Sequence, residues 1–419
     1  MRVVVVGAGI VGVTSAYELA AQGHEVTVLE RRAGVAAEAS FANAGVIAPG
    51  YVTPWAAPGM PWKVLRQLLG RHAAVRFDGL GPLAHLPWLV RWWLACRPRV
   101  YAGNRAAMIR LAQFSRDRLL ELTRQLGLDY EQQPGYLVLL RGARELSAAQ
   151  RTLKLLGELG VVHELVDAER CRRIEPGLHA DAPLAGGIHL AQDGVGNCRQ
   201  FAQLIKAEAQ RLGARFRFDT DVTSVQPGKP AVVQTAAGAR LEADAVVVCA
   251  GVHANRLLAP HGLKLPLAPV YGYSITAPLA QRDDPLPVGP RAALMDERFK
   301  VAISRLGQRV RVAGSAELGG NLSDLRAAPL ATLYRVLNDW FPGAAVIKEA
   351  QQWKGARPML PDGPPIIGAC RLPGVWLNLG HGSSGWALAC GSAHVLADTL
   401  HGRPAAIDMR GLTPARVHA

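Results

Sequence analysis

Arg2-Val3-Val4-Val5-Val6-Gly7-Ala8-Gly9-Ile10-Val11-Gly12 lies at the start of the chain, and the fold turns on how it is read. Val3 to Val6 is the short apolar run of a strand buried on both faces of a parallel sheet. It leads into Gly7-Ala8-Gly9-Ile10-Val11-Gly12, a G-x-G-x-x-G spacing, and a helical pattern follows from Val13 to Gln22. A second apolar run, Glu25-Val26-Thr27-Val28-Leu29, ends in Glu30, 18 residues beyond Gly12. Strand, glycine turn, helix and acid at these spacings form the dinucleotide-binding fingerprint. Gly7 permits the tight turn, Gly9 lets the backbone approach a pyrophosphate, and Gly12 lets helix and strand pack closely. Val6, Ala8, Ile10 and Val11 belong to the same contact surface. The helix start offers free N–H groups and a positive dipole end to the phosphates, and Glu30 can accept hydrogen bonds from a ribose diol.

A chain of 419 residues exceeds one ordinary core and predicts two domains, or one domain with a large insertion. There is no low-complexity tract and no repeat at solenoid period. Met1 runs straight into the first strand, which predicts no cleaved leader. No uncharged apolar stretch reaches the roughly 18 residues of a spanning helix. The six cysteines are scattered without a C-x-x-C pair. That predicts a reducing, cytoplasmic setting and no metal site. The net charge of +14 favours acidic partners such as anionic lipid or anionic substrates. Its arginines are spread along the chain, and no nucleic-acid-binding module is present, so nucleic acid is not expected as a partner.

The predicted class is α/β. A Rossmann-like nucleotide domain, mostly parallel sheet with helices, carries an inserted α+β substrate domain with a mixed or antiparallel sheet. The chain visits the nucleotide domain three times, over residues 1–55, 195–265 and 355–419. Residues 56–194 and 266–354 form the substrate domain. Helices are expected at Lys63–Leu69, Leu86–Cys96, Asn104–Leu126, Glu145–Leu159, Phe201–Leu212, Leu330–Trp340 and Trp386–Leu400. Val375–Leu379 reads as a strand feeding Gly380-His381-Gly382-Ser383-Ser384-Gly385. Glycine-rich strand-to-helix junctions at both ends of the chain could converge on one elongated cofactor.

Several further stretches resemble the FAD-dependent D-amino acid oxidoreductase superfamily, which includes glycine oxidase and sarcosine oxidase. They are Ser40-Phe41-Ala42-Asn43-Ala44-Gly45, Tyr51 to Gly59, Tyr271-Gly272-Tyr273-Ser274, Trp353 to Gly368, and Gly380 to Trp386. Within it the chain is most similar to the D-amino acid dehydrogenase family. The resemblance runs from residue 1 to about 400. It implies non-covalent FAD, oxidation of a D-amino acid through an imino acid to a 2-oxo acid and ammonia, and electron delivery to a respiratory acceptor at the inner membrane. Members of that family often carry Thr-Leu where Ser383-Ser384 stands here. The alternatives are a flavin oxidase or dehydrogenase of glycine, sarcosine, D-proline or hydroxyproline and, more remotely, a non-catalytic dinucleotide-binding protein.

In such an enzyme the flavin does the redox chemistry, and the protein supplies binding, orientation and electrostatics. The substrate carboxylate calls for arginine, whose planar fork matches it with two bonds. The resemblance implies Arg305 as the main anchor and Arg357 as a substrate or flavin contact. Tyr271 and Tyr273, two apart on a strand, face one side. They read either as an aromatic wall beside the substrate or as two core tyrosines. Tyr51 and Trp55 are further candidates. His381 is a candidate base or proton shuttle. Oxidation from the neutral amine needs no base, so the favoured reading has it pack on or hydrogen-bond the flavin ring. Gly380, Gly382, Ser383, Ser384 and Gly385 would bring that helix end to the flavin. Arg31 or Arg32 beside Glu30 reads either as stacking on adenine or as a solvated charge pair, Val222 as an adenine-side backbone contact, Ala250 and Gly251 would close over the nucleotide, and Ser40, Asn43, Ala44 and Gly45 would line the flavin's middle. Leu86 to Leu94, dense in tryptophan and flanked by Arg91, Arg97 and Arg99, reads either as a peripheral membrane-docking segment or as core packing.

Overall fold

A computed structural model of the chain describes residues 1–67, 75–78, 84–281 and 289–417. The chain begins β1 (Arg2–Val6), α1 (Ile10–Ala21) and β2 (Glu25–Leu29). It then runs through β3 (Val46–Ile47), α2 (Met60–Gln67), β4 (Val75–Phe77), α3 (Leu86–Ala95), α4 (Pro98–Leu126) and β5 (Gln133–Leu140). Next come α5 (Ala143–Glu158), β6 (Glu164–Val166), α6 (Ala168–Ile174), β7 (Gly186–Val195) and α7 (Cys198–Arg211). β8 (Arg215–Arg217), β9 (Val222–Gln226), β10 (Ala231–Thr235), β11 (Arg240–Ala243), β12 (Ala245–Val248) and α8 (Ala254–Leu258) follow. The last third is β13 (Ala268–Pro278), β14 (Ala293–Asp296), β15 (Val301–Leu306), β16 (Arg309–Leu318), α9 (Ala327–Trp340), β17 (Gln351–Met359), β18 (Ile366–Ala369), β19 (Val375–Leu379) and α10 (Gly385–Leu400).

The apolar runs that open the chain and precede Ala250-Gly251 lie side by side. β1 pairs parallel to β12, Val3 against Ala245 through Val6 against Val248. Both therefore end at one edge, beside Gly7 and Cys249. They stand at the centre of a six-stranded sheet ordered β18-β19-β12-β1-β2-β8, in which only β18 runs antiparallel. Helices cover one face. Val13 and Leu19 of α1 share a core with Leu111 and Leu119 of α4, Phe201 and Ile205 of α7, and Leu388 and Val395 of α10. The small antiparallel sheet β11-β10-β9 covers the other face, with Val225 and Val233 against Val4, Val6 and Val248. Burial on both faces is what selects unbroken valine runs over alternation.

The second sheet is mixed and ten-stranded, ordered β17-β13-β16-β15-β14-β5-β7-β3, with β4 beside β16 and β6 beside β7. Its two faces differ. Tyr273, Ile275, Ile303, Val310 and Val312 pack against Leu333, Val336 and Trp340 of α9. The alternate positions, Gly272 and Ser274 on β13, Ala313 on β16, and Ala302 and Ser304 on β15, are small. That small-residue face looks toward the nucleotide sheet and makes a shallow floor.

Three features differ from the sequence reading. α4 begins at Pro98 rather than near Asn104, and its apolar side packs on the nucleotide core. Its apolar stripe at Ala107, Leu111, Leu119 and Leu122 matches the side of α1 and α10. Residue 355, expected as a domain boundary, lies inside β17, which pairs along its whole length with β13. The predicted helix Lys63–Leu69 starts earlier, at Met60, and its last two positions lie outside the described residues.

Candidate active site

A cavity of about 920 Å³ lies between the two sheets, reaching from the β1–α1 turn to the floor of the ten-stranded sheet. Its first wall is the glycine turn. Gly7 sits at φ +102°, and a Cβ there would stand 2.8 Å from the carbonyl oxygen of Cys249. A Cβ at Gly12 would overlap the Gly7 carbonyl oxygen. The turn is therefore closed to any other residue, as a strand feeding a helix at close approach requires. α1 starts at Gly9 with no side-chain cap, which leaves its first N–H groups open toward the cavity. Ser40 Oγ takes only the Ile10 N–H, at 3.1 Å. Glu30 closes the end of β2, its carboxylate accepting from the N–H groups of Ala8 at 2.7 Å and Arg32 at 2.8 Å. A carboxylate has acceptor sites beyond those two bonds, so Glu30 can still take a ribose hydroxyl.

Of the fingerprint residues, Val6, Gly7, Gly9, Ile10 and Val11 line the cavity, as do Glu30, Arg31 and Arg32. Ala8 and Gly12 do not. Their place is in the packing behind the turn, Ala8 being fully buried. Val222, Ala250 and Gly251 border the same end. So does His253, which the sequence reading missed although it follows Ala250-Gly251 by two residues. Its Nε2 accepts from an Arg31 nitrogen at 2.7 Å. Burial, and then the Arg31 charge, lower its pKa and favour the neutral, accepting form. Arg31 and Arg32 also pair with Glu38, so both expected adenine-stacking groups are already engaged.

Residues 42–45 cross from one sheet to the other, and the small-residue floor holds them there. Ser274 Oγ donates to the Ala42 carbonyl at 2.8 Å, and Ser304 Oγ to that of Ala44 at 2.7 Å. Arg311 Nη1 donates to the Asn43 carbonyl at 3.2 Å, and Trp386 Nε1 to the Gly45 carbonyl at 3.2 Å. Ser40, Asn43, Ala44 and Gly45 line the cavity in consequence.

The second glycine-rich junction meets the first across the cavity, and Gly380, His381, Gly382, Ser383, Ser384 and Gly385 all line it. Gly380 has φ +81°, and a Cβ there would overlap Leu360. The N-terminus of α10, a helix of 16 residues, points its free N–H groups and positive dipole end into this space. His381 is buried, with Nε2 3.0 Å from Ser392 Oγ. Burial pulls its pKa down to about 3. Its buried ring is thereby held neutral against Ser392, which suits packing or hydrogen bonding beside the cavity and makes it a weak base.

The expected anchor Arg305 does not reach the cavity. Ala302 and Ser304 occupy the floor side of β15, so alternation turns Arg305 to the other side. There its guanidinium donates to the carbonyls of Gly307 at 3.0 Å and Pro290 at 3.5 Å. Arg357 does reach it. On β17, Trp353, Gly355 and Arg357 share the floor side. Gly272 and Gly355 pair directly, and a Cβ on either would overlap the Arg357 guanidinium or the Trp353 ring, respectively. Two bare backbones thus make the shelf on which those side chains lie. Arg357 donates to the Ser315 carbonyl at 2.9 Å and has no carboxylate partner among the described residues. Burial lowers its pKa to about 10, so it remains a cation at neutral pH.

Tyr271 and Tyr273 do face one side, that of Lys354 and Glu317. The Tyr273 hydroxyl donates to Glu317 at 2.7 Å. The Lys354 ammonium lies 4.8 Å and 5.1 Å from the two ring centres, in cation–π contact with both. Tyr273 borders the cavity and Tyr271 does not. The aromatic wall comes instead from Tyr51, packed edge-on against Tyr136 at 5.6 Å, with Met295 and Trp55 beside them. No local pattern marked Tyr136. Its place depends on the pairing of β5 with β14.

The chain matches the family model described as FAD dependent oxidoreductase over residues 2–399. It is similar to the D-amino acid dehydrogenase of Cereibacter sphaeroides, 46% identical over 416 residues, covering 98% of this chain and 94% of that one. It is also similar to the D-amino acid dehydrogenase of Bradyrhizobium diazoefficiens, 42% identical over 428 residues and 99% of each chain. In fold it is similar to glycine oxidase from Geobacillus kaustophilus, with a TM-score of 0.76 at 21% identity over 98% of this chain and 97% of that one. Iminodiacetate oxidase from Chelativorans sp. BNC1 matches with a TM-score of 0.74 at 22% identity over 99% of each chain.

Proposed function

The chain belongs to the FAD-dependent oxidoreductase family, and from that premise we propose that it oxidises D-amino acids to 2-oxo acids and ammonia. The cavity fits FAD: two glycine-rich turns, with Gly7 and Gly380 at positive φ, face each other across it, each beside a helix N-terminus without a side-chain cap. Val6, Gly7, Gly9 to Val11, Glu30, Ser40, residues 42–45 and residues 380–385 would hold the cofactor. Bound FAD supplies the acceptor for the hydride leaving Cα.

The observation that carries the reading is Arg357, a half-buried cation on the cavity floor with no carboxylate of its own among the described residues. It supplies the planar fork that a substrate carboxylate needs. Tyr51, Tyr136 and Met295 give the side chain an apolar wall, and with the carboxylate they fix which Cα substituent faces the cofactor. Loss of the Cα–H with its electron pair and of one N–H proton makes the C=N bond. Water then adds to that carbon and ammonia leaves. No residue of this chain is required as a base if the amine enters neutral, which accords with the neutral His381.

Anaerobic titration with D-alanine, L-alanine, D-proline and sarcosine tests the reading. Bleaching of the flavin band by the D-isomer of alanine and not by the L-isomer is expected. Protein that carries FAD and is bleached by none of them would refute the substrate class.

The electrons pass, in this reading, to a respiratory acceptor at a membrane surface. α3 supports it by dividing its apolar residues. Trp88 and Trp92 are core, while Leu86, Val90, Trp93 and Leu94 are exposed, with Arg91, Arg97 and Arg99 around them. α2 adds exposed Trp62 and Leu65 beside Met60 and Lys63, which line the cavity. Exposed aromatic and aliphatic side chains ringed by arginine suit an anionic headgroup zone. No helix among the described residues is long and apolar enough to cross a membrane. The protein should float with anionic vesicles, and Trp62→Ser/Trp93→Ser should abolish flotation. Wild-type protein that stays in the dense fraction rules the surface out.

A further inference from the structure

β16 carries one residue more than its partner strand. Tyr271 of β13 pairs with Glu317, and Tyr273 with Gly314. Residues 271–273 therefore face residues 314–317, a bulge. Within it Ser315 stands at φ +58°, the left-handed region that residues bearing a Cβ seldom occupy. The carbonyl oxygen of this residue is the one that accepts from Arg357 Nη1, at 2.9 Å.

The bulge is clamped from behind. Glu317 is 1% exposed and accepts from the Tyr273 hydroxyl at 2.7 Å and from Lys354 Nζ at 2.8 Å. Those donors sit opposite each other on β13 and β17. One carboxylate thus ties all three strands together at the register that includes the extra residue. Sliding β16 by one position would break both bonds, and such a slip exchanges the faces of every side chain on the strand.

Resting on the reading of Arg357 as the carboxylate anchor, we propose that Ser315 and Glu317 are positioning residues for it. The bulge turns the Ser315 carbonyl toward the guanidinium, and Glu317 holds the bulge. A neutral carbonyl fixes the direction of the fork and leaves its charge for the substrate. A carboxylate in that place would neutralise the charge and compete with the ligand. The negative charge that secures the register is accordingly kept on the opposite side of the sheet, on Glu317.

The test uses the FAD-loaded protein and two readouts, steady-state kinetics with D-alanine and the Kd of propionate read from perturbation of the flavin spectrum. Propionate carries the carboxylate and cannot be oxidised at an amine. Valine is branched at Cβ and disfavours the left-handed region, so Ser315→Val should weaken propionate about tenfold, close to 1.4 kcal/mol. It should raise KM in parallel, with kcat and flavin content little changed. Ser315→Gly, free to adopt φ +58°, should keep the tight binding that Ser315→Val loses. If Ser315→Val does not fold, Glu317→Gln takes its place and should weaken propionate in the same direction. Unchanged propionate affinity in Ser315→Val and Glu317→Gln overturns the proposal, as does a fall in kcat alone. If Arg357→Met also leaves propionate affinity intact, the anchor reading itself has failed, which is a separate result.

Discussion

The Arg357 guanidinium lies over Gly272, so close that a Cβ at position 272 would overlap it. The atoms in the way belong to the far end of a flexible side chain, not to backbone. Gly272→Ala should therefore fold, keep its flavin and displace only the guanidinium. An increase in KM for D-alanine of about tenfold or more, with a melting temperature close to wild type, is expected. A variant with unchanged KM would show that Arg357 is not held on this shelf during turnover.

The two arginines make a direct comparison. Arg357→Met removes a desolvated, charge-assisted carboxylate contact and should lower kcat/KM by about 2–5 kcal/mol. Arg305 donates to Gly307 and Pro290 on the other side of β15. Arg305→Ala should keep kcat/KM within about threefold, under 1 kcal/mol. Kinetics on both variants decide between them. A large loss confined to Arg305→Ala would reverse the assignment.

Gly12→Ala meets backbone, the carbonyl of Gly7, and neither group can move without opening the turn. Purified Gly12→Ala protein should show a flavin-to-protein absorbance ratio well below wild type, from FAD binding weakened about tenfold or more. Full flavin occupancy would mean that the turn yields more readily than its geometry implies.

Asp193 on β7 is 3% exposed, its Oδ2 has no hydrogen-bond partner, and burial raises its pKa to about 7. The folded protein then binds this proton more tightly than the unfolded chain does. The contribution of Asp193 is fully present below about pH 4 and is lost as pH rises to about 7, at most about 4 kcal/mol. Asp193→Asn removes that slope. Its melting temperature relative to wild type should be higher at pH 8 than at pH 5. An equal difference at both pH values would show that Asp193 is not the titrating group.

The glycine turn and its flanking elements were legible from the sequence because they are local. Strand, glycine turn, helix and acid all lie within residues 2–30, and each constraint acts between neighbours. The convergence of a second glycine-rich junction at residues 380–385 could be read for the same reason, since each junction ends a strand and begins a helix. The FAD-dependent class came from the resemblance of those stretches, together with Trp353–Gly368, to a known family.

Only the tertiary structure decided which arginine faces the cavity. Strand period alone tells that Tyr271 and Tyr273 share a side, and not which side that is. The answer depends on which face of the ten-stranded sheet meets α9, and on a bulge at Ser315 that no residue pattern announces. The α9 core takes Tyr273 and Ile275, while the opposite face, rich in glycine, alanine and serine, receives residues 42–45 and Arg357. Sheet register is a long-range property, set by burial of the whole strand set at once. For that reason the glycine turn could be read from 30 residues, and the placement of Arg357 on the cavity floor required the whole fold.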